Sequence, residues 1–499
     1  MAANVKIAQI NVQHGLAATA NLRRLLDMGD IKIALIQEPY YYNNNLGALN
    51  GIKGNIFVKK GALRPRALVY TSIAIEATQL EQYSSRDFVA VEIKYSENKV
   101  KKYLIVCSRY FPYDSVENPP PIEMVNIIDY AKNNSISIII GCDANAHHTI
   151  WGSSNINSRG EALLEYIYSA NLDIKNEGNI PTFVTTNREE ILDITVCSLD
   201  ITGKINNWHV SKDDSLSDHQ MIFYDFQCDR LVPITYRNSR DTDLDLFKSY
   251  VAGLTLSWRH VGQNVVELNK AATYFTESFS RFFELSCPER TISEKTKTIW
   301  WNHSLKRLKK QNNYHWNHRD RLHHYRSFRT DYKKSIRKAS RQSFHYVCST
   351  INSLTATARL HKLYSLSKTA QVNSILLPSG NFAMDEKEIL QSLLKTHFPE
   401  CDNQSSITDI ILQHDGISED ILCKIITKNK IRWAINSFKP YKSPGTDNIF
   451  PKLLQHTLDL IINPLEQLFK ASLKLGYIPT AWQSVRVTFI PKPGKSTYY

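Results

Sequence analysis

Short apolar runs bounded by polar or turn-forming residues recur through the first half of the chain. They predict strands at 5–11, 33–37, 67–72, 88–94, 103–108, 136–140, 191–197 and 221–226. Three stretches have apolar residues at helical spacing instead: 17–28, 122–133 and 160–170. Many strands with few helices between them predict an α/β sandwich of two packed sheets rather than a doubly wound sheet. Beyond residue 228 the pattern turns mainly helical, with helices expected at 431–438 and 451–475 and one strand at 485–490.

Charge refines this picture. Residues 295–341 hold fifteen Lys and Arg against Asp320 and Asp331, a local excess equal to the +13 of the whole chain. Trp300, Trp301, Tyr314, Trp316, Tyr325, Phe328 and Tyr332 are interleaved with these cations. A charge run is often just a solvated helix face, but rings among cations also suit a nucleic acid, whose bases stack on them. Lys306, Arg307, Lys309 and Lys310 are the candidate phosphate contacts, and the same cluster fits a nuclear import signal. The eight cysteines are scattered, without CxxC or CxH spacing, so neither a zinc site nor a disulfide framework is expected. With no secretory leader and no long apolar run, the expected protein is soluble, intracellular and free of the membrane; oligomeric state is left open.

Polar residues recur where the predicted strands end. Asn11 ends the first, Glu38 follows the second in Ile36-Gln37-Glu38-Pro39, and Tyr110 closes another before Phe111-Pro112. Asp143, Asn145 and His147 follow the apolar run 137–142, Asp193 lies in Leu192-Asp193-Ile194, and Ser217-Asp218-His219 precedes the last strand. Any one of these could be a turn or cap residue, but six such sites within 220 residues argue for a shared centre. Hard oxygen ligands suit Mg²⁺, and phosphodiester hydrolysis needs a cation, an oriented water and a proton acceptor.

The order N…QE…Y.P…GD.N…LD…SDH over residues 4–226 resembles the endonuclease/exonuclease/phosphatase superfamily. Within it, the wording IALIQEP, GCDANAHHTIWGS, SRG and LSDHQMI is most similar to the endonuclease domain of non-LTR (LINE-like) retrotransposon polyproteins. The resemblance implies a Mg²⁺-dependent nuclease (Mn²⁺ being an alternative) with Asn11, Glu38 and Asp218 at the metal. Asp143, with Asn145 beside it, would orient and deprotonate water. His219, polarised by Asp193, would contact the scissile phosphate or activate water, and Tyr110 would hydrogen-bond the phosphate. Gln13 stands where related repair enzymes often carry an acid, which leaves one or two metals open. His147 and His148 are adjacent and diverge, so DNA contact or packing competes with catalysis. Arg159, in Ser158-Arg159-Gly160, is a candidate phosphate grip.

Residues 431–499, with SFKPYKSPGTD and FIPKPGK, resemble the start of a non-LTR reverse transcriptase, its finger region. The metal-binding aspartates of a polymerase are not found; the sole Asp-Asp, Asp213-Asp214, lies in the nuclease-like part. The expected organisation is an endonuclease domain at 1–228, a helical connector at 229–294, a basic aromatic-rich helical segment at 295–345, a second connector at 346–430, and an incomplete reverse-transcriptase region at 431–499. The expected activity is nicking of one strand of target DNA to leave a 3′-hydroxyl for target-primed reverse transcription. No polymerase activity is expected, and the element's RNA would bind through the basic stretch. The alternatives are a cellular phosphatase or repair endonuclease of the same fold, and a catalytically inactive nucleic-acid-binding remnant.

Overall fold

The computed structural model describes residues 3–489, apart from 43–44, 60, 116–117, 230–234, 259–263, 292–295, 320–323, 365–374, 378, 381–382, 384–385 and 400–418. It divides into two compact units, one built on Met1–Ile234 and Ile292–Leu393, the other on Thr235–Thr291 and Leu394–Phe489.

In the first unit the chain runs β1 (Ala3–Asn11), α1 (Leu16–Asp27), β2 (Ile33–Gln37), β3 (Gly54–Phe57), β4 (Ala67–Ser72), β5 (Ala77–Gln79), β6 (Phe88–Glu97), β7 (Val100–Tyr110), α2 (Ile122–Asn133) and β8 (Ser137–Asp143). It continues through α3 (Ser158–Ser169), β9 (Leu172–Ile174), β10 (Phe183–Val184), β11 (Glu189–Glu190), β12 (Asp193–Ser198), β13 (Ile205–Val210) and β14 (Ile222–Cys228). Two six-stranded mixed sheets result, ordered β13-β14-β1-β2-β4-β3 and β5-β6-β7-β8-β12-β9. They pack face to face over an apolar layer that includes Val5, Ile7, Leu35, Val69, Val91, Val106, Ile139, Tyr224 and Phe226. The predicted two-sheet α/β sandwich is what the structure shows. The long strands fall where the apolar runs placed them; β3, β5, β9, β10, β11 and β13, all short or irregularly patterned, were not foreseen.

The two sheets are also tied by buried amides. Gln9 Nε2 donates to the carbonyls of Cys142 (3.2 Å) and Ile194 (3.1 Å), and Gln37 Nε2 to that of Gly141 (3.0 Å). Gly141 is required at this crossing, because a Cβ there would lie 2.8 Å from Gln9 Oε1 and from Leu35 Cδ1.

The second unit comprises β15 (Thr235–Arg237), α4 (Leu244–Ser257), α5 (Val265–Ser286), β16 (Glu289–Thr291) and the C-terminal helices. Between its halves in sequence lie α6 (His303–Asn317) and α7 (Tyr325–Thr350), a hairpin belonging to the first unit, then α8 (Leu354–Tyr364) and α9 (Glu386–His397). Leu305, Tyr332 and Ile336 of the hairpin share a core with Leu22, Leu26 and Ile36 of the sandwich. The basic segment is therefore one face of the nuclease-like unit. Of α10 (Glu419–Ile425), α11 (Lys428–Ser437), α12 (Pro451–His456) and α13 (Leu458–Lys474), the last two pack on α4 and α5 through Phe247, Phe279, Leu453, Ile461 and Leu468, and the first two pack on α13. The strand expected at 485–490 is not formed over 485–489, where no described strand pairs with it; residue 490 lies outside the described residues, as do 491–499 of the expected finger region and residues 295 and 320–323 of the basic run. No described helix is long and apolar enough to cross a membrane.

Asn157 caps α3 by accepting from the Gly160 amide (2.8 Å) and also accepts from the His147 amide (3.1 Å). The helix start thus abuts the backbone of the 143–148 loop, and a Cβ at Gly160 would sit 1.9 Å from the His147 carbonyl oxygen. Gly160→Ala should lower unfolding free energy by about 1–3 kcal/mol, the usual cost of overpacking. Chemical denaturation of the purified variant checks this; an unchanged midpoint would mean the loop yields freely.

Candidate active site

Strand register does most of the assembly. β7 and β8 are parallel with Tyr110 opposite Asp143, and β8 and β12 are antiparallel with Asp143 opposite Asp193. Three predicted site residues therefore stand side by side on neighbouring strands. On the other sheet, β1 and β2 are parallel with Asn11 opposite Gln37, which puts Asn11 and Glu38 at the same strand ends. The chain turns sharply here: Gln13, His14, Glu38 and Asn145 all have left-handed backbone conformations (φ 50°, 49°, 45° and 43°).

The side chains converge. Asn11 Nδ2 donates to Asp143 Oδ2 at 2.7 Å. His219 Nε2 lies 3.8 Å from that same oxygen, and its Nδ1 lies 2.8 Å from Asp193 Oδ2. Asp143 and Asp193 are both 1% exposed and His219 6%. Thr182 Oγ1 accepts from the amides of Leu192 and Asp193 (both 3.0 Å), fixing the Asp193 strand start, and Phe183 meets the His219 ring edge-on at 5.0 Å. Tyr110 is buried, with Arg66 4.8 Å from its ring centre, and burial together with the Glu38 and Asp143 carboxylates raises its hydroxyl well above the usual tyrosine range.

Burial pushes the Asp143 carboxyl up; the His219 charge opposes this and Asp193 adds to it. For His219, burial alone would favour the neutral ring, but Asp193 and Asp143 outweigh it and raise its pKa to about 9. The two carboxyl groups thus favour the charged form of the ring that lies between them.

Other predicted residues are placed less centrally. Asn145 Nδ2 donates to the Phe111 carbonyl (2.9 Å), bracing the loop beside Asp143. Asp218 Oδ2 accepts from Gln13 Nε2 (2.6 Å), so Gln13 tethers an acid rather than replacing one. His14, unremarked in the sequence, lies with Nε2 3.5 Å from Glu38 Oε1. His147 is held by Arg188 (2.7 Å) and Glu190 (3.5 Å), and His148 Nδ1 accepts from the Ile150 amide; both are packing and turn residues. Arg159 donates to the carbonyls of Pro112 (3.0 Å) and Ser115 (3.3 Å) and so braces the segment after β7. Lys306, Arg307 and Lys310 are exposed on α6, whereas Lys309 pairs with Asp213 at 2.6 Å. Lys333 on α7 escaped the sequence reading. Burial lowers its pKa, and Asp214 and Asp218 are the acids that offset this.

The donor set fits a divalent cation. Asp143 Oδ1 and Asp193 Oδ1 are buried without a hydrogen-bond partner among the described residues, and Asp143, Asp193 and, when its ring is neutral, His219 offer ligand atoms within 4.8 Å of one another. Carboxylate and amide oxygens of this kind are what hard cations take.

Residues 104–223 match the family described as endonuclease-reverse transcriptase. That segment holds Tyr110, Asp143, Asn145, Asp193, Asp218 and His219. No curated protein matches the chain. Among solved structures, it is similar to the endonuclease domain of TRAS1, a telomere-specific non-LTR retrotransposon (28% identity, 44% of this chain and 98% of that one, TM-score 0.37). It is also similar to the apurinic/apyrimidinic endonuclease LMAP of Leishmania major (11% identity, 45% and 88%, TM-score 0.34) and to one from Archaeoglobus fulgidus (11%, 44% and 99%, TM-score 0.33).

The His219 charge gives a direct test. In metal-free protein the His219 ring, followed by proton NMR, should titrate near pH 9. A raised pKa stabilises the fold below the unfolded value of about 6.5 and loses that contribution as pH rises through 9. Asp193→Asn should bring the ring's pKa down by more than one unit, because burial then acts with less opposition. A ring titrating unchanged in Asp193→Asn would remove Asp193 as the source of the charge.

Proposed function

We propose that the chain is a divalent-metal-dependent endonuclease that cuts one strand of DNA and leaves a 3′-hydroxyl. The observation that carries the reading is the continuous line Asn11–Asp143–His219–Asp193, buried at one end of the sandwich with Glu38 and Tyr110 beside it. Asn11, Glu38 and Asp218 would hold Mg²⁺ or Mn²⁺, which when bound neutralises the phosphate and the departing oxygen. Asp143 takes the proton of the attacking water as the water oxygen bonds to phosphorus and the bond to the 3′ oxygen breaks, and the departing 3′ oxygen takes a proton from solvent. Asn11 and Asn145 fix the Asp143 carboxylate and its loop. His219, kept charged by Asp193, donates to a non-bridging phosphate oxygen, and the Tyr110 hydroxyl donates to the same phosphate. Loss of this line is what an inactive remnant would show, and every member is in place.

The family match supports the further reading that the 3′ end primes reverse transcription in a non-LTR retrotransposon, with residues 431–499 as part of a reverse-transcriptase region and the site of action in the nucleus. The basic hairpin supplies sequence-independent affinity for DNA or the element's RNA.

Full-length protein should relax supercoiled plasmid with Mg²⁺ or Mn²⁺. Asp143→Asn and His219→Ala should each slow nicking by about 10²–10⁴-fold. Parental rates in Asp143→Asn would displace it as the proton acceptor. The same protein should incorporate no nucleotide on a primed RNA template; labelled product would refute this. Replacing Lys306, Arg307 and Lys310 with Ala should flatten the dependence of log K on log salt by up to about 3 on duplex DNA without moving the cut sites. An unaltered slope would make them a solvated face only, and new cut sites would mean they read sequence.

A further inference from the structure

The loop that delivers Asp218 and His219 is held from outside the sandwich. Asp214, 2% exposed, receives a two-pronged contact from Arg329 of α7, whose Nε and Nη2 lie 2.9 Å and 3.0 Å from its two oxygens. Arg329 Nη2 also donates to the Ser217 carbonyl at 2.6 Å. Asn312 of α6 donates to Asp214 Oδ2 at 2.9 Å, and Asp214 Oδ1 accepts from the Leu216 amide at 2.8 Å. The loop passes this order inward. Ser217 Oγ donates to the Asn11 carbonyl (2.8 Å) and accepts from the His219 amide (3.3 Å). Leu216 itself is held at φ 67°, a conformation that a leucine adopts only when its surroundings impose it.

We propose that Arg329 is a positioning residue of the nuclease, locking the 214–219 loop through Asp214 and Ser217, so that the α6–α7 hairpin is a working part of the active site and not only a nucleic-acid-binding appendage. The inference rests on the endonuclease reading above. A planar guanidinium that grips one carboxylate with two nitrogens and a carbonyl with one of them fixes orientation as well as distance, which a lysine could not do. Asp214 is enclosed, so loss of Arg329 leaves a buried carboxylate held by the Asn312 and Leu216 amides, with Lys333 as the α7 cation that remains near it, and the loop has to reorganise to hydrate it. The reorganised loop carries His219 and Asp218 with it. Displacements of about an ångström at such groups cost rates of about a hundredfold.

The test uses the full chain. In Arg329→Gln, hydrogen exchange followed by mass spectrometry should speed up at least tenfold across 214–219 while strand 137–143 stays protected; this arm needs no nuclease activity. In the plasmid assay kcat should fall at least tenfold with KM for DNA within about threefold of the parent. Arg329→Lys should recover little, and Asp214→Asn combined with Arg329→Gln should lose no more than the worse single variant. If the parent does not nick DNA, the endonuclease reading fails while the exchange arm still decides the loop contact. Unchanged exchange across 214–219 overturns the proposal, as does a raised KM and flattened salt dependence at parental kcat, which would make Arg329 a phosphate contact. Should Arg329→Gln also expose strand 137–143, Asn312→Ala, which removes only one bond to Asp214, is read instead. It should show the same local exchange and a smaller kcat loss, and parental behaviour in both overturns the proposal.

Discussion

The site depends on one electrostatic constraint: two carboxylates, Asp143 and Asp193, are buried within reach of one imidazole. Taking either charge out of water is costly, and the ring between them is the compensation that keeps both where the register puts them. Each neighbouring feature serves that balance. Asn11 supplies a donor to Asp143, Thr182 anchors the backbone on which Asp193 sits, and Phe183 walls the ring from solvent. One oxygen on each carboxylate, Asp143 Oδ1 and Asp193 Oδ1, is left buried without a hydrogen-bond partner among the described residues.

That constraint explains why so much of the site could be read from sequence. Register sets Tyr110, Asp143 and Asp193 opposite one another, so residues that end consecutive apolar runs become spatial neighbours. Chemistry at strand ends is announced by a break in hydropathy, and Asn11, Glu38 and His219 are marked in that way. Gln9 and Gln37 carry no such mark. They are polar residues inside apolar strands, and only the second sheet, with its carbonyls at Cys142, Ile194 and Gly141, shows that they bridge the layers.

The hairpin was harder for a different reason. Its seam is a few apolar positions, among them Leu305, Tyr332 and Ile336, set in a sequence dominated by charge, so composition points outward to a polyanion. Part of that charge in fact points inward: Lys309 to Asp213, Arg319 to Glu189, Arg329 to Asp214. Ion pairs between residues about 100 positions apart leave no periodic trace. The same holds for Arg159, whose place in a basic-looking tripeptide suggested phosphate while its partners are two backbone carbonyls.

The left-handed backbone at Glu38 and Asn145 has a corollary for substitution. Such conformations suit glycine and cost a side-chain-bearing residue about a kilocalorie per mole or more. At 145 the amide offsets that cost through its bond to the Phe111 carbonyl, whereas at 38 it is the place of the carboxylate in the site that holds it. Where that role is lost, glycine is favoured at 38 on stability grounds, while Gly141 and Gly160, which the packing itself demands, stay fixed. A substitution at 38 therefore touches the chemistry before the fold, and one at 141 or 160 touches the fold first.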